Sequence, residues 1–274
     1  MTAWAAALLS VLLLSGVQPA AAETIRVSGS GAALGTMRFL AEAFRKTNSR
    51  IRIELLPGMG SAGSIKAVLA GRLDIGLSAR RLNAAERAGD LVETKYAKTP
   101  FVFGVNDRLK MSGLTMEGAA AIYAGKRDWE NSNRIRLVLR PGEDSDIPVL
   151  KSMSPAMEEA VDIALRRGGM IVAMTDQDAA DAIETVPGAF GGTTLSLVLS
   201  EKRAIRVLPL GGVTPSARTL AEGSYPLSKT FSMVTKKDPP AAVRRFIDFV
   251  RSPGGASILE KNGQVPLREK GVHP

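Results

Sequence analysis

The sequence holds no cysteine, and its one histidine, His273, is the penultimate residue. The first absence excludes disulfides, thiolate nucleophiles and cysteine metal sites, so stability must rest on a buried core. The second removes histidine-based triads and histidine metal sites, which leaves most hydrolase constellations without a base. Aromatic residues are scarce at 5% of the chain, so there is little to stack on nucleobases. Acidic charge is in deficit: 36 Lys and Arg face 27 Asp and Glu, a net charge of +9. That balance favours anionic partners. The basic residues come in doublets at most, such as Arg80-Arg81 and Arg166-Arg167. A solvated basic surface and small anions fit this better than nucleic acid does. No apolar run is long enough to span a bilayer; residues 5–17 fall short.

What is present is ordinary globular composition, 45% hydrophobic and 23% charged over 274 residues, enough for one or two domains. Residues 2–22 carry no charge. The apolar run at 5–17, followed by Gln18-Pro19 and Ala20-Ala21-Ala22, has the form of an export signal cleaved before Glu23. It departs from that form in having no Lys or Arg in its first residues, and no lipobox cysteine follows, so a lipid anchor is excluded.

The organising stretch is Gly58-Met59-Gly60-Ser61-Ala62-Gly63-Ser64-Ile65-Lys66, continued by Leu73-Asp74-Ile75-Gly76-Leu77-Ser78-Ala79-Arg80-Arg81. It reads as a glycine turn, a helix with Ser61 as N-cap and Ile65, Val68 and Leu69 on one face, a stop at Gly71, then a strand over 73–77. A glycine turn feeding a helix start offers free N–H groups and the positive end of the dipole, which suits an anion. The plain alternative is a capped helix on a strand. A similar unit precedes it: a strand at 24–27, the loop Ser28-Gly29-Ser30-Gly31-Ala32-Ala33-Leu34-Gly35, and a helix with Met37, Leu40, Ala41 and Phe44 on one face. With a strand at 51–55, two tandem βα units imply a parallel sheet with both glycine loops on its carboxyl edge, where ligands bind in open α/β sheets.

Downstream, strands are expected at 100–105, 135–139, 170–174, 195–199, 205–209 and 230–234. Helices are expected at 116–124, from Ser154-Pro155 to Arg166-Arg167-Gly168, from Thr175 to about Thr185, after Asp238-Pro239-Pro240 and at 254–261. The strand at 135–139 runs into Arg140-Pro141-Gly142-Glu143-Asp144-Ser145-Asp146. Arg140 suits an oxyanion, and it suits equally a salt bridge to Glu143 or Asp144. Asp176 and Asp178 read as capping acids. No repeat or low-complexity segment is found.

With these residues laid out, the chain after residue 22 resembles the phosphate-type extracytoplasmic binding proteins of bacterial ABC transporters. Four places carry the likeness: the loop 28–34, the stretch 58–78, the segment from Asp176 to Pro187-Gly188-Ala189-Phe190-Gly191, and Ser252-Pro253-Gly254-Gly255 through Gly263-Gln264-Val265-Pro266. The resemblance implies an α/β, two-lobed type II periplasmic-binding fold, each lobe a mostly parallel sheet flanked by helices. Lobe one would be 23–100 plus 228–274, lobe two 101–227, with hinge strands near 99–104 and 224–230. It implies a monomeric periplasmic protein that captures a small oxyanion, phosphate first, and presents it to an inner-membrane ABC permease. The implied ligand groups are Ser30, the backbone of Ala33 and Leu34, Ser61, Ser78, Arg80, Arg140 and Ser145. No catalytic residue, cofactor or metal is implied. The chain departs from the pattern in three places. Ala79 stands where an acceptor aspartate is expected, Ala33 replaces a threonine, and Glu143-Asp144-Ser145-Asp146 replaces a Gly-Ser-Gly-Thr loop. Two other classes remain open: an anion-sensing module for a signalling or envelope partner, and an exported serine hydrolase. The hydrolase would need a lysine base, and Lys66 is the only lysine near a candidate serine, without Ser-x-x-Lys spacing.

Overall fold

The computed structural model describes residues 23–109, 111–129 and 134–267. The expected export signal and His273 lie outside the described residues. The chain runs β1 (Glu23–Gly29), α1 (Gly31–Thr47), β2 (Ile51–Leu55), α2 (Gly60–Leu69), β3 (Ile75–Ser78), α3 (Ala84–Ala88), β4 (Leu91–Asn106), α4 (Met116–Ala124) and β5 (Arg136–Leu139). It continues through α5 (Asp146–Lys151), α6 (Pro155–Arg166), β6 (Ile171–Val172), α7 (Asp176–Thr185), β7 (Ala189–Thr194), α8 (Leu195–Ser200) and β8 (Ile205–Val207). It closes with α9 (Ala217–Ala221), β9 (Ser228–Lys236), α10 (Ala241–Arg251), α11 (Pro253–Lys261) and β10 (Val265–Pro266).

The strands follow the order β2-β1-β3-β9-β4-β7-β5-β6, with β8 and β10 also paired to β4. Pairing is parallel within β2-β1-β3 and within β7-β5-β6, where βα units build the sheet. It is antiparallel wherever β9 and β4 take part. Strand β4 joins the two halves: Leu91 to Pro100 pair with β9, and Phe101 to Val105 pair with β7. One apolar core packs α1 and α10 on the first half, with Met37, Leu40, Phe44, Val243 and Phe246 buried. A second gathers Phe101, Phe103, Tyr123 and Phe190 with α4 and α6, where Phe103 stacks on Phe190 with centroids 5.3 Å apart.

Most helices begin and end where side-chain chemistry requires. Thr115 caps α4, and Gly125 at φ +126° follows it. Ser154 caps α6 ahead of Pro155. In α10, Val243, Phe246, Ile247 and Val250 all face inward, matching the periodicity. Three expectations fail. Residues 195–199 form helix α8, not a strand, because the Thr194 hydroxyl accepts from Leu197 N and starts a helical turn; the strand there is β7, which ends at Thr194. Residues 170–174 are not a buried strand: β6 has two residues, and Val172 and Met174 are 55% and 68% exposed. Ser61 does not cap α2, which starts at Gly60 behind Met59, two residues earlier than a Ser61 cap implies.

Gly29 is the backbone position on which the first loop depends. Its φ is +152°, and a Cβ there would fall 2.0 Å from Leu77 O. Only glycine lets β1 turn so close against β3. From this turn Ser30 N reaches Leu77 O at 2.9 Å, and Met59 N reaches Gly29 O at 3.1 Å. The starts of α1 and α2 are thereby pinned side by side.

Candidate anion-binding cleft

The starts of α1 and α2 meet the end of β5 and the start of α7 around a cavity of about 270 Å3. Gly31, Gly60, Ser61, Arg80, Arg140, Asp144, Ser145 and Asp176 are on its wall. Four of the eight residues singled out by sequence therefore share one cavity: Ser61, Arg80, Arg140 and Ser145. Ser30, Ala33, Leu34 and Ser78 are not on its wall.

Arg140 is the central cation. It is 5% exposed. Its Nη1 donates to Ala173 O at 2.7 Å and its Nη2 to Asp144 Oδ2 at 2.7 Å. The expected salt bridge forms, to Asp144, and the paired arginine also lies on the cavity wall. Its Nε is buried with no hydrogen-bond partner, a costly state for a guanidinium N–H unless an acceptor meets it. Burial opposes its charge, but the carboxylates of Asp144, Asp176 and Asp146 outweigh that and raise its pKa. Arg140 stays a cation.

The serines divide by what their hydroxyls already do. Ser61 Oγ accepts from Ala79 N at 2.9 Å, and Ser145 Oγ accepts from the Lys229 ammonium at 2.8 Å. An oxygen used as acceptor keeps its own proton to donate, so these two remain available to an anion. Ser78 Oγ spends its proton on Arg80 O at 2.7 Å. Ser30 Oγ lies 3.3 Å from Asp176 Oδ2 and donates to it. Ala33 N turns back to Ser30 O at 3.1 Å, so it is not a free donor. Arg80 forms a two-pronged pair with Glu86 at 2.8 and 2.7 Å, and that arginine is the main cause lowering the Glu86 carboxyl pKa. Ala79, in place of an acceptor aspartate, is buried.

Asp176, Asp146 and Lys229 were not among the expected site residues. Asp176 was read as a capping acid, but Thr175 and Asp178 complete the capping box of α7 without it. Its Oδ2 accepts from Ala32 N at 3.1 Å and from Ser30, so a carboxylate from α7 rests on the first loop. Gln177 adds a bond to Gly31 O at 3.1 Å. Beneath Ser145, Asp146 and Lys229 form an ion pair, both almost wholly buried. Burial pushes the Asp146 carboxyl up to about 6, with Lys229 pulling it down and Asp144 and Asp176 pushing it further up. The surplus acid at Asp176 and the period-2 placement of Lys229 between Leu227 and Phe231 were the readable signals. Among the described residues no group of His, Cys, Asp and Glu could hold a metal ion.

Comparison with known proteins places this geometry. The phosphate-binding protein PstS of Bacillus subtilis (strain 168) is 25% identical over 266 residues, 92% of this chain and 83% of that one. PstS 2 of Streptococcus agalactiae (NEM316) is 34% identical over 82 residues, 30% of this chain and 27% of that one. Among solved structures, a candidate phosphate ABC transporter substrate-binding protein of Clostridium perfringens, with bound phosphate, superposes with TM-score 0.78 at 21% identity, covering 90% of this chain and all of that one. An ABC-type phosphate transport receptor of Vibrio cholerae gives 0.62 at 20% identity, covering 88% and 99%. These two show the fold, a two-lobed α/β architecture. The family model described as the PBP superfamily domain matches residues 16–253, and the chain belongs to that superfamily.

Proposed function

We propose that this chain captures a phosphate-type oxyanion in the cleft, outside the inner membrane, and presents it to an ABC permease. The observation that carries the reading is Arg140: a buried, charged guanidinium on the cavity wall whose Nε lacks an acceptor. The hydroxyls of Ser61 and Ser145 and the N–H groups at the start of α2 complete a donor set around it. The relatives named for phosphate supply the anion class. Two lobes, 23–100 with 228–274 and 101–227, close on the anion. What supports the division is β4, which changes partners from β9 to β7 between Pro100 and Phe101. The serines have no base for turnover: Ser64 Oγ donates to backbone carbonyls, and Ser61 and Ser78 meet only backbone groups. The Lys229 amine beside Ser145 is paired with Asp146, whose charge helps raise its pKa and keep it protonated. The chain binds; it does not catalyse.

Three carboxylates, Glu143, Asp144 and Asp176, line the cavity. They repel a fully ionised anion and can accept a hydrogen bond from one that keeps a proton, the part of the missing acceptor aspartate. The Asp146 carboxyl, with folded pKa about 6 against an ordinary 3.8, adds a pH term. It is ionised above about 6 and neutral below, so acid removes a negative charge behind the cleft. Phosphate affinity is therefore expected to rise as pH falls from 8 to 5.5, in calorimetric titration. Sulfate, ionised throughout, reports the protein's term alone and is expected to bind at least about tenfold more weakly (~1.4 kcal/mol). Equal affinity for the two anions, or none for phosphate, would overturn this reading.

A further inference from the structure

A second cationic hollow lies at the opposite edge of the sheet from Arg140. It has a volume of about 520 Å3 and opens between the ends of α4 and α6 and the starts of β5 and β6. Lys126, Arg127, Arg134, Arg136 and Arg167 line it, and among the described residues no acidic one does. An adjoining hollow of about 380 Å3 shares Arg134 and Arg136 and adds Arg108. Arg136 and Arg140 flank β5 at opposite ends, about 13 Å apart at ~3.3 Å per residue, so this is not the cleft.

The plain explanation is that basic residues answer the last carbonyls of a helix. It accounts for Lys126, Arg127 and Arg167, which follow α4 and α6. It does not account for Arg134 and Arg136, which stand at and just before the start of β5. Unpaired cations such as Arg52 and Arg81 also occur elsewhere in the described chain, so what sets the six apart is that they gather, unneutralised, around one concave surface. Arg26, Arg80, Arg140, Arg203 and Lys229 each have a carboxylate within ion-pair distance. Among the described residues, none of the six is in such a pair. Arg167 meets only a thioether, its Nη2 standing 3.2 Å from Met170 Sδ, a weak acceptor. Gly125 keeps room for that guanidinium: a Cβ there would come within 2.7 Å of Nη1. Like charges gathered in a concave site repel one another, and an anion that reaches several of them relieves the repulsion.

We propose that this trough binds a linear anion of several linked phosphoryl groups. One tetrahedral anion reaches too few of six cations spread over two hollows, and a chain of them fits that spacing. Among the described residues no aromatic one lines either hollow, so none is there to stack a nucleobase. The linked phosphates are free in solution; a phospholipid surface presents similar chemistry and forms the second arm of the test.

The test is calorimetric titration of the full chain with tripolyphosphate, at low and at physiological salt. Four proteins are compared: wild type, Arg140→Ala, Arg134→Gln with Arg136→Gln, and Arg134→Glu with Arg136→Glu. Both arginines are exposed, and unchanged thermal unfolding verifies that the variants fold. Wild type and Arg140→Ala are expected to bind alike, more weakly at higher salt. The glutamine pair loses at least about tenfold, the glutamate pair binds none, and both pairs keep the wild-type response to orthophosphate in the cleft. Equal tripolyphosphate binding by all four, or loss only in Arg140→Ala, overturns the proposal. So does retention of wild type on anionic phospholipid vesicles without any tripolyphosphate binding.

Discussion

Replacing Arg140 with alanine is expected to weaken phosphate binding by about 2–5 kcal/mol, a factor of a few tens to a few thousand. Three effects combine. The anion loses its one buried cation, and the free Nε with it. Asp144 loses its partner at 2.7 Å and becomes an uncompensated negative charge on the cavity wall. Ala173 O loses its donor and with it a tie between the end of β5 and the segment before α7. Arg140→Lys separates the first effect from the others. Lysine keeps the charge but cannot hold Ala173 O, Asp144 and an anion in the geometry of the guanidinium fork, so an intermediate loss is expected. Titration calorimetry on the three proteins makes the comparison. Unchanged affinity in Arg140→Ala would make the arginine a strut and no part of a binding site.

Lys229→Met is the second large effect, and it acts on stability. Lys229 is 1% exposed and Asp146 3%. Removing the ammonium leaves a buried carboxylate alone, which costs about 3–5 kcal/mol. In a chain of this size that lowers Tm by roughly 6–20 °C. The cost depends on pH. Asp146 already has a folded pKa raised from 3.8 to about 6. An acid that holds its proton more tightly when folded destabilises the fold as pH rises through the window between those values, and the penalty is then constant above it. Without Lys229 the carboxyl rises further, so the variant is expected to be closest to wild type near pH 5 and furthest from it near pH 8. Replacing both, Lys229→Met with Asp146→Leu, is expected to recover most of the loss, because a buried pair exchanged for apolar groups of similar volume is often neutral. Thermal unfolding at the two pH values checks this. A double variant as unstable as the single one would mean that Ser145 and the start of α5 need the pair for their position.

Much of the fold was legible because local signals agreed with tertiary ones. The apolar stripe of α10, the Thr115 and Gly125 limits of α4 and the Ser154-Pro155 start of α6 are each fixed by a few neighbouring residues. Residues 195–199 were not legible, because a short apolar run has no period of its own; the Thr194 hydroxyl, one residue before it, decided for helix. The cleft was half legible. Ser61, Arg140 and Ser145 lie at loop ends, where α/β sheets put their ligands. Asp176 and Lys229 were hidden because their partners are remote: Ala32 is 144 positions from Asp176, and Asp146 is 83 from Lys229. No window along the chain contains either pair.

The central claim is that an oxyanion sits against Arg140. Diffraction from crystals grown with arsenate, an isostere of phosphate whose arsenic scatters anomalously, tests it directly. The account predicts one strong anomalous peak in the cleft, within hydrogen-bond reach of Arg140 Nε, Ser61 Oγ and Ser145 Oγ. A cleft without a peak, in crystals whose only arsenic lies in the trough around Arg134 and Arg136, would contradict it.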